Sequence, residues 1–128
     1  MKILLDTHAF LWLMKNDLRL SPVAKTTFLD PKNEMYLSLA SVWEIAIKSS
    51  LNKLKLPLPV NDYIDSRTHR YGIYLQEITM DYIALVEKLP FHHRDPFDRL
   101  IIAQGIFEKI PILTNDSKFT LYSIQTIW

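Results

Sequence analysis

Six ionisable side chains crowd the eight-residue stretch His92–Arg99, which reads HHRDPFDR. Three more acids stand far from it along the chain, at Asp6, Glu44 and Asp116. Carboxylate oxygens are the ligands that Mg²⁺ and Mn²⁺ prefer in proteins. The chain has no cysteine, so thiolate ligands and thiolate nucleophiles are excluded. The residue types therefore favour the chemistry of a hard cation, provided that the acids meet in the fold.

A cluster of acids is costly to fold unless something positive offsets it. Two carboxylates about 4 Å apart repel each other by roughly 4 kcal/mol at an effective dielectric constant near 20. Two divalent ions about 3.5–4 Å apart would offset such a cluster, and they can clamp the attacking and leaving oxygens of a phosphodiester. If Asp6, Glu44, Asp98 and Asp116 gather, phosphodiester cleavage is the chemistry that we expect of them.

Basic side chains flank the same acids. They would suit the phosphates of a nucleic acid approaching a metal site, although an ordinary solvated loop explains them equally well. A zinc site is disfavoured, because adjacent histidines in a loop face different ways and the chain has no His-x3-His spacing. The candidates for RNA contact are His92, His93, Arg94, Arg99 and Lys48.

Short apolar runs that alternate with helical patterns must position the acids. Lys2–Leu5 is such a run and ends at Asp6, while Pro111–Thr114 is another and is soon followed by Asp116. Continuous apolar runs are typical of strands buried in a parallel sheet. Sites in open α/β sheets lie beyond the carboxyl ends of the strands. We therefore predict an α/β fold with a mostly parallel sheet covered on both faces, and both acids at one edge of it.

The same reading assigns the remaining elements. Strands are predicted at Lys2–Leu5, Met35–Leu39, Ile73–Ile78, Pro111–Thr114 and Tyr122–Ile127. Helices are predicted at Thr7–Met14, Pro22–Leu29, Ser41–Ser50, Val60–Arg70, Met80–Lys88 and from the HHRDPFDR stretch to about Glu108. The larger aromatic side chains are predicted to lie in the core rather than to stack on bases: Phe10, Trp12, Tyr36, Trp43 and Phe97.

Each acid also has a purely structural explanation. Asp95 precedes a proline, as is typical of a helix N-terminus, so Asp95 is better explained as the cap than as a ligand. Asp98 would then lie in the first turn, where a carboxylate favours the helix dipole. Glu44 fits a capping box that begins at Ser41 and an i,i+4 surface pair with Lys48. The functional interpretation gains force only when the acids are combined.

Composition sets the outer bounds of the interpretation. The chain has 128 residues, of which 48% are hydrophobic and 23% charged, as expected for one domain over residues 1–128. The net charge of +1 gives no global basic field, so nucleic-acid binding would need a local patch. No stretch approaches the roughly 20 apolar residues of a membrane span. We expect no membrane partner and a cytoplasmic location.

Four segments taken together resemble the successive motifs of PIN-domain nucleases. They are Leu4–His8, Trp43-Glu44, Asp95–Gln104 and Leu113–Asp116. The chain is most similar to the VapC-type toxins of bacterial toxin–antitoxin pairs, including a small group that carries the string HHRDPFDR. The resemblance spans essentially the whole chain with the motifs in the right order.

This resemblance implies both a fold and an activity. It implies an α/β/α sandwich with a mostly parallel sheet of four to five strands. It also implies an endoribonuclease that needs Mg²⁺ or Mn²⁺, cuts single-stranded or tRNA-like RNA, forms a homodimer and is inhibited by a small antitoxin. The residues that match the catalytic and metal-binding acids are Asp6, Glu44, Asp98 and Asp116. Thr114 matches a supporting hydrogen-bond donor, and Asp95 belongs to the string of the small group only.

Two rival functions remain open at this point. Aspartyl phosphohydrolases also place an acid after the first strand, so Asp6 could be a nucleophile. The second acid that such enzymes carry two residues later is absent, because His8 stands there. A PIN-like module that binds RNA or a protein partner without cutting is the other rival, and the presence of all four acids argues against it.

Overall fold

The computed structural model describes residues 1–128 and confirms an α/β fold built on a parallel sheet. All four strand pairings are parallel, and the strand order is β3-β2-β1-β4-β5. The strands are β1 (Lys2–Leu5), β2 (Glu34–Ser38), β3 (Tyr74–Gln76), β4 (Ile112–Leu113) and β5 (Thr126–Ile127). The central strand is therefore β1, as its continuous apolar sequence suggests.

Six α-helices and one 3₁₀ helix connect and cover the strands. The α-helices are α1 (Thr7–Lys15), α2 (Pro22–Leu29), α3 (Leu39–Ser50), α4 (Val60–Tyr71), α5 (Met80–Lys88) and α6 (Pro96–Glu108). The 3₁₀ helix, Ser117–Leu121, leads from β4 towards β5. None of these helices combines the length and the apolar character that crossing a bilayer requires.

Side-chain alternation along β1 explains why the sheet is covered on both faces. Ile3 and Leu5 belong to one buried cluster, which includes side chains of α1, α2 and α4. Leu4 points the other way and belongs to a second buried cluster, which includes side chains of α5 and α6. The two clusters confirm the three-layer α/β/α sandwich.

Two helix starts follow the local sequence signals. The Ser21 hydroxyl accepts a 2.9 Å hydrogen bond from the Ala24 amide, and Pro22 occupies the first turn of α2. Asp95 caps α6 in the same way, and Pro96 follows it as the first residue of the helix. Proline suits this position because the first helical amides have no partner within the helix.

The start of α3 differs from the prediction. The helix begins at Leu39, and the Ser38 hydroxyl caps it by accepting a 3.0 Å hydrogen bond from the Ala40 amide. Ser41 is buried inside the helix, where its hydroxyl accepts from the Thr7 hydroxyl at 2.9 Å. The predicted capping box is therefore wrong, and Glu44 lies in the second turn of the helix rather than at its end.

Candidate metal centre

Asp6 leaves the carboxyl end of the central strand and turns back into the protein. Its backbone amide still pairs with the Leu113 carbonyl of β4 at 3.1 Å. Its carboxylate caps α1 by accepting a 2.6 Å hydrogen bond from the Ala9 amide, and its second oxygen accepts from the Thr114 hydroxyl. Asp6 is only 4% exposed. Thr114 thus holds the carboxylate of Asp6, as the sequence comparison of the motifs led us to expect.

Glu44 is buried although it is paired with a lysine. Its Oε2 accepts a 2.8 Å hydrogen bond from the ammonium group of Lys48, which is the predicted i,i+4 pair. The glutamate is only 3% exposed, so the pair is not the surface feature that the sequence suggested. Its Oε1 is buried with no hydrogen-bond partner. A buried oxygen of this kind costs about 1–3 kcal/mol unless something outside the protein chain binds it.

Asp98 lies in the first turn of α6, which Asp95 organises. The Asp95 carboxylate accepts hydrogen bonds from the amides of Phe97 and Asp98 at 2.8 and 3.0 Å, so Asp95 is the cap. Burial, together with the negative charges of Asp95, Glu44, Asp6 and Asp116, raises the pKa of Asp98 to about 8, and burial is the largest cause. The charges of three other candidate acids therefore act on Asp98, which shows that they gather around it.

Asp6 is likewise buried near another negative charge. Burial raises the pKa of Asp6, while its hydrogen bonds to Thr114 and Ala9 oppose that change, and the charge of Asp116 adds to the increase. Two acids with raised pKa values at one edge of the sheet form a centre that favours a proton or a cation. The donor set consists mainly of carboxylate oxygens, which suits a hard divalent ion.

Asp116 joins the cluster from the segment after β4. Its amide donates to the Thr114 hydroxyl at 3.0 Å, and its Oδ1 accepts a 2.9 Å hydrogen bond from the Lys118 amide. These bonds direct its Oδ2 towards His93, at 2.8 Å from the ring Nε2. Asp116 therefore lies beside Asp98, although the two residues belong to different elements.

His93 lies inside the acid cluster, which corrects the expectation that it meets RNA at the surface. It is 6% exposed, and its Nε2 is 3.0 Å from Asp98 Oδ2 as well as 2.8 Å from Asp116 Oδ2. The three residues offer ligand atoms that all lie within 4.8 Å of one another. Sequence reasoning did not find this role, because nothing in the order of adjacent loop residues says which histidine turns inward.

Arg99 is also buried, so the expectation that it contacts RNA is wrong. It is 5% exposed, and its guanidinium donates to the backbone carbonyls of Val86, Leu89, Pro90 and His93 at 3.0–3.3 Å. These carbonyls belong to the end of α5 and to the loop before α6. Arg99 thus holds the loop that carries His93 instead of facing a phosphate.

The chain matches known proteins both in sequence and in shape. A sequence model of the PIN domain matches residues 3–124. The chain belongs to the PIN-domain family. No curated protein matches the sequence of this PIN domain by direct comparison.

Solved structures of low sequence identity share the fold of this PIN domain. A chain of VapBC2 from Rickettsia felis, bound to a DNA fragment from its promoter, is 16% identical with a TM-score of 0.73, over 98% of this chain and 97% of that one. DNA-bound VapBC from Salmonella typhimurium gives 13% identity and a TM-score of 0.70, over 98% and 96%. A toxin–antitoxin complex from Klebsiella pneumoniae gives 14% and 0.59, over 98% and 96%.

A cleft of about 320 Å³ opens beside two of the acids of this PIN domain. Asp6, His8, Trp12, Arg19, Asn115 and Asp116 line it. The guanidinium of Arg19 lies 4.5 Å from the centre of the Trp12 ring, and His8 is exposed next to Asp6. Sequence reasoning missed Arg19, which lies 13 positions after Asp6 and reaches the cleft because α1 ends and the chain turns back. The available sequence signal for the cleft was the i,i+4 spacing of His8 and Trp12 directly after Asp6.

The remaining candidates lie on the surface around the centre. His92 and Arg94 are exposed on the loop before α6, so their contact with RNA stays a prediction, as does that of Lys48. Trp43 is 59% exposed and packs edge-to-face against Phe97 at 5.0 Å, so its predicted place in the core is wrong. Each of these two aromatic residues directly precedes an acid of the cluster, at Glu44 and Asp98.

A larger cavity of about 530 Å³ lies at the opposite edge of the sheet. It is lined by the end of α2, the start of β2 and the segment Arg70–Tyr74. Only two carboxylates, Asp30 and Glu34, border it, and they come from a turn and a strand start. The larger cavity therefore lacks the convergent acids of the candidate centre.

Proposed function

We propose that this PIN domain, residues 1–128, is a metal-dependent endoribonuclease and the toxin of a toxin–antitoxin pair. PIN-domain toxins are generally nucleases, so membership of the family supports nuclease activity. The observation that carries the proposal for this chain is the gathering of acids around Asp98, with the buried Glu44 Oε1 left without a protein partner. An arrangement of this kind is stabilised by a cation.

Asp6, Glu44, Asp98 and Asp116 would hold Mg²⁺ or Mn²⁺. Three features support the fit: the donors are carboxylate oxygens, one of them lacks any partner, and the pKa of Asp98 is raised to about 8 by burial and by its acidic neighbours. Both ions prefer oxygen ligands of this type. Bound there, a divalent ion would lower the pKa of a water molecule so that hydroxide could form and attack phosphorus, and it would offset the charge that grows on the leaving oxygen.

The protein's own residues would prepare the site for that chemistry. Thr114 and the Ala9 amide fix the Asp6 carboxylate, and Asp95 fixes the helix turn that carries Asp98. The raised pKa of Asp98 means that its proton must leave before its carboxylate binds a cation. No side chain needs to act as the nucleophile.

RNA is the proposed substrate, either single-stranded or tRNA-like. Polar and basic side chains around the acids support it: His8 and Arg19 border the cleft, and His92 and Arg94 are exposed on the loop before α6. Arg19 is paired with Asp17 at 2.8 Å, so Arg94 is the cation that would attract phosphates towards a centre that is itself acidic. Lys48 would contribute only if it released Glu44.

The biological role rests on likeness to other proteins. The structures that share this fold include VapBC complexes and a toxin–antitoxin complex, which supports a small antitoxin as a partner of this chain. A homodimer and a cytoplasmic location belong to the same proposal. Co-purification of this chain with the product of a neighbouring short reading frame would test the partner.

Replacing Asp98 by Asn tests the activity. We expect the wild type to cleave members of an RNA panel with Mg²⁺ or Mn²⁺ and not with EDTA. The Asp98→Asn and Asp6→Asn variants should lose about 100- to 1000-fold in rate, because each loses a charge that holds the ion. Asp81→Asn, on the exposed first turn of α5, is the matched control. Undiminished cleavage by Asp98→Asn would refute the assignment.

The same experiment separates the rival functions. RNA binding in EDTA without cleavage under any metal would favour a PIN-like module that only binds. A phosphohydrolase with Asp6 as nucleophile is disfavoured, since both oxygens of that buried carboxylate accept hydrogen bonds from the protein. Trapping of a phosphate analogue on Asp6 would revive it.

A further inference from the structure

We infer that His93 is a positioning residue, which holds Asp98 and Asp116 side by side for a divalent ion without binding the ion itself. The inference rests on the proposed metal-dependent function. It concerns a residue that the four-acid pattern leaves out. It also assigns a purpose to the buried half of the HHRDPFDR stretch.

The first argument is the geometry of one ring nitrogen between two carboxylates. Nε2 of His93 lies 3.0 Å from Asp98 Oδ2 and 2.8 Å from Asp116 Oδ2. Asp98 comes from the first turn of α6, and Asp116 comes from the segment after β4. The ring nitrogen therefore hydrogen-bonds to Asp116 and lies in contact with Asp98, so it links two elements of the fold at the centre.

The second argument identifies which ring nitrogen carries the proton. The backbone amide of Asp95 donates a 3.2 Å hydrogen bond to His93 Nδ1. A ring nitrogen that accepts a hydrogen bond has a lone pair and no proton, so the proton of a neutral imidazole is on Nε2. An Nε2–H group can donate to Asp116 and lies 3.0 Å from Asp98 Oδ2, but it has no lone pair to give to a metal ion. In this tautomer His93 can position the carboxylates but cannot be a ligand of the ion through Nε2.

The third argument is that the fold fixes the ring in place. The His93 ring packs edge-on against Phe119, at 5.8 Å between ring centres. Its backbone amide donates to the Tyr122 hydroxyl at 2.9 Å, and its carbonyl accepts from Arg99 at 3.3 Å. These contacts come from α6 and from the segment after β4, the same two elements that supply the paired acids.

The pairing leaves carboxylate oxygens without protein partners, which could bind an ion. The Oδ1 of Asp98 forms no hydrogen bond within the protein, whereas its Oδ2 faces the imidazole. Glu44 Oε1 also lacks a partner. A ligand carboxylate that is itself held by a hydrogen bond binds its ion more tightly, and loss of such a partner commonly costs about 10- to 100-fold in affinity. We therefore expect His93 to set the affinity of the centre.

Metal titration of variants tests the inference by a measurement other than RNA cleavage. His93→Leu removes the N–H group that faces Asp116 and Asp98, so the dissociation constants for Mg²⁺ and Mn²⁺ should both rise about 10- to 100-fold, by a similar factor. His93→Gln offers an amide N–H and should recover part of that loss. His69→Leu, at an exposed position of α4, is the control and should bind as the wild type does.

Two measurements on the wild type decide the case even if His93→Leu does not fold. Nitrogen-15 NMR of the metal-free protein should show His93, assigned through its contact with Phe119, with its proton on Nε2. Electron spin echo modulation of the Mn²⁺-loaded protein should show no directly bound imidazole nitrogen.

The opposite results identify what has failed. A directly bound nitrogen, or a proton on Nδ1, would make His93 a ligand and overturn the inference. Unchanged metal affinity in a folded His93→Leu variant would also overturn it while leaving the proposed nuclease intact. A wild type that binds neither Mg²⁺ nor Mn²⁺ would overturn the proposed function first, and the inference with it.

Discussion

The acid cluster has two flanks that offset their negative charge in different ways. On the His93 flank, formed by His93, Asp98 and Asp116, a buried ring hydrogen-bonds to Asp116 and contacts Asp98 at 3.0 Å. On the Glu44 flank, formed by Glu44 and Lys48, one carboxylate oxygen pairs with a partly exposed ammonium group and the other has no partner. The protein supplies a partner for the facing oxygens of the first flank, whereas it leaves one buried oxygen of the second flank without a partner.

This difference indicates how the two flanks respond to an ion. The His93 flank is held by the capping of α6, by Arg99 and by the segment after β4, so its geometry exists before any ligand arrives. An ion stabilises the Glu44 flank most, because the buried Oε1 has no hydrogen-bond partner until an ion binds it. Substitutions of the residues that support the His93 flank should therefore act through stability and orientation, and those of Glu44 through binding.

Arg99→Leu should produce the largest effect on stability. Removing the guanidinium leaves several carbonyls of the loop without a donor, so we expect the free energy of unfolding to fall by about 4 kcal/mol. Urea denaturation measures it. Arg94→Leu, on the exposed surface of the same loop, should change it by less than about 0.5 kcal/mol. Similar losses for both variants would contradict the supporting role of Arg99.

Glu44→Gln should separate binding from stability on the other flank. Loss of one charge should weaken Mg²⁺ binding by about 10- to 30-fold, as expected for the removal of one direct ligand charge. Above pH 8, where Asp98 is ionised, the metal-free variant should be more stable than the wild type by about 1 kcal/mol, since repulsion with Asp98 decreases. Calorimetry measures both quantities, with Glu87→Gln on the exposed face of α5 as the control. A destabilised metal-free variant would show that Glu44 is structural.

The stability of the metal-free protein should fall as the pH rises from 6 to 8. The pKa of Asp98 is about 8 in the folded protein and near 4 in the unfolded chain, so between these values only the folded state holds the proton. The corresponding loss is about 2 kcal/mol between pH 6 and pH 8. It should appear as the difference between wild type and Asp98→Asn in thermal melts.

Added Mg²⁺ should reverse that trend. The ion must displace the proton of Asp98, so the gain in melting temperature from Mg²⁺ should be larger at pH 8 than at pH 6. An equal gain at both pH values would mean that Asp98 does not take part in binding.

Lys48→Met should have the smallest effect. The ammonium group is partly exposed, so the pair contributes less than about 1 kcal/mol to folding. Because Lys48 competes with an ion for Glu44, we expect its loss to raise Mg²⁺ affinity about two- to threefold. A weaker affinity would show instead that the lysine holds Glu44 in position for the ion.

The sequence predicted those parts of the centre that depend on strand ends and helix starts. Asp6 and Asp116 follow β1 and β4, so parallel pairing brings them to one edge of the sheet. Asp95 could be assigned as a cap because a proline after a helix cap has few other uses. The continuous apolar run of β1 and the alternation of strands with helices likewise predicted that helices cover both faces of the sheet.

The sequence could not predict the directions of side chains in loops. His92 and His93 are identical in type and adjacent, and only the fold turns His93 inward, through its bonds to Tyr122 and Arg99. Arg99 looked like a surface cation, since no pattern reveals that carbonyls of α5 and the next loop converge on it. Trp43 was placed in the core by its size, whereas the neighbouring Glu44 is the buried residue.

The hydrogen bond between Thr114 and Asp6 also affects when the protein can act. The two residues are 108 positions apart, so the first acid receives its support only after Thr114 has been made. A ribosome synthesises the protein from residue 1 onwards, and Asp98 and Asp116 emerge late. Whatever reaction the four acids perform, a partly translated chain lacks the means to perform it. The order of the motifs thus delays assembly of the four acids until Asp116 has been made.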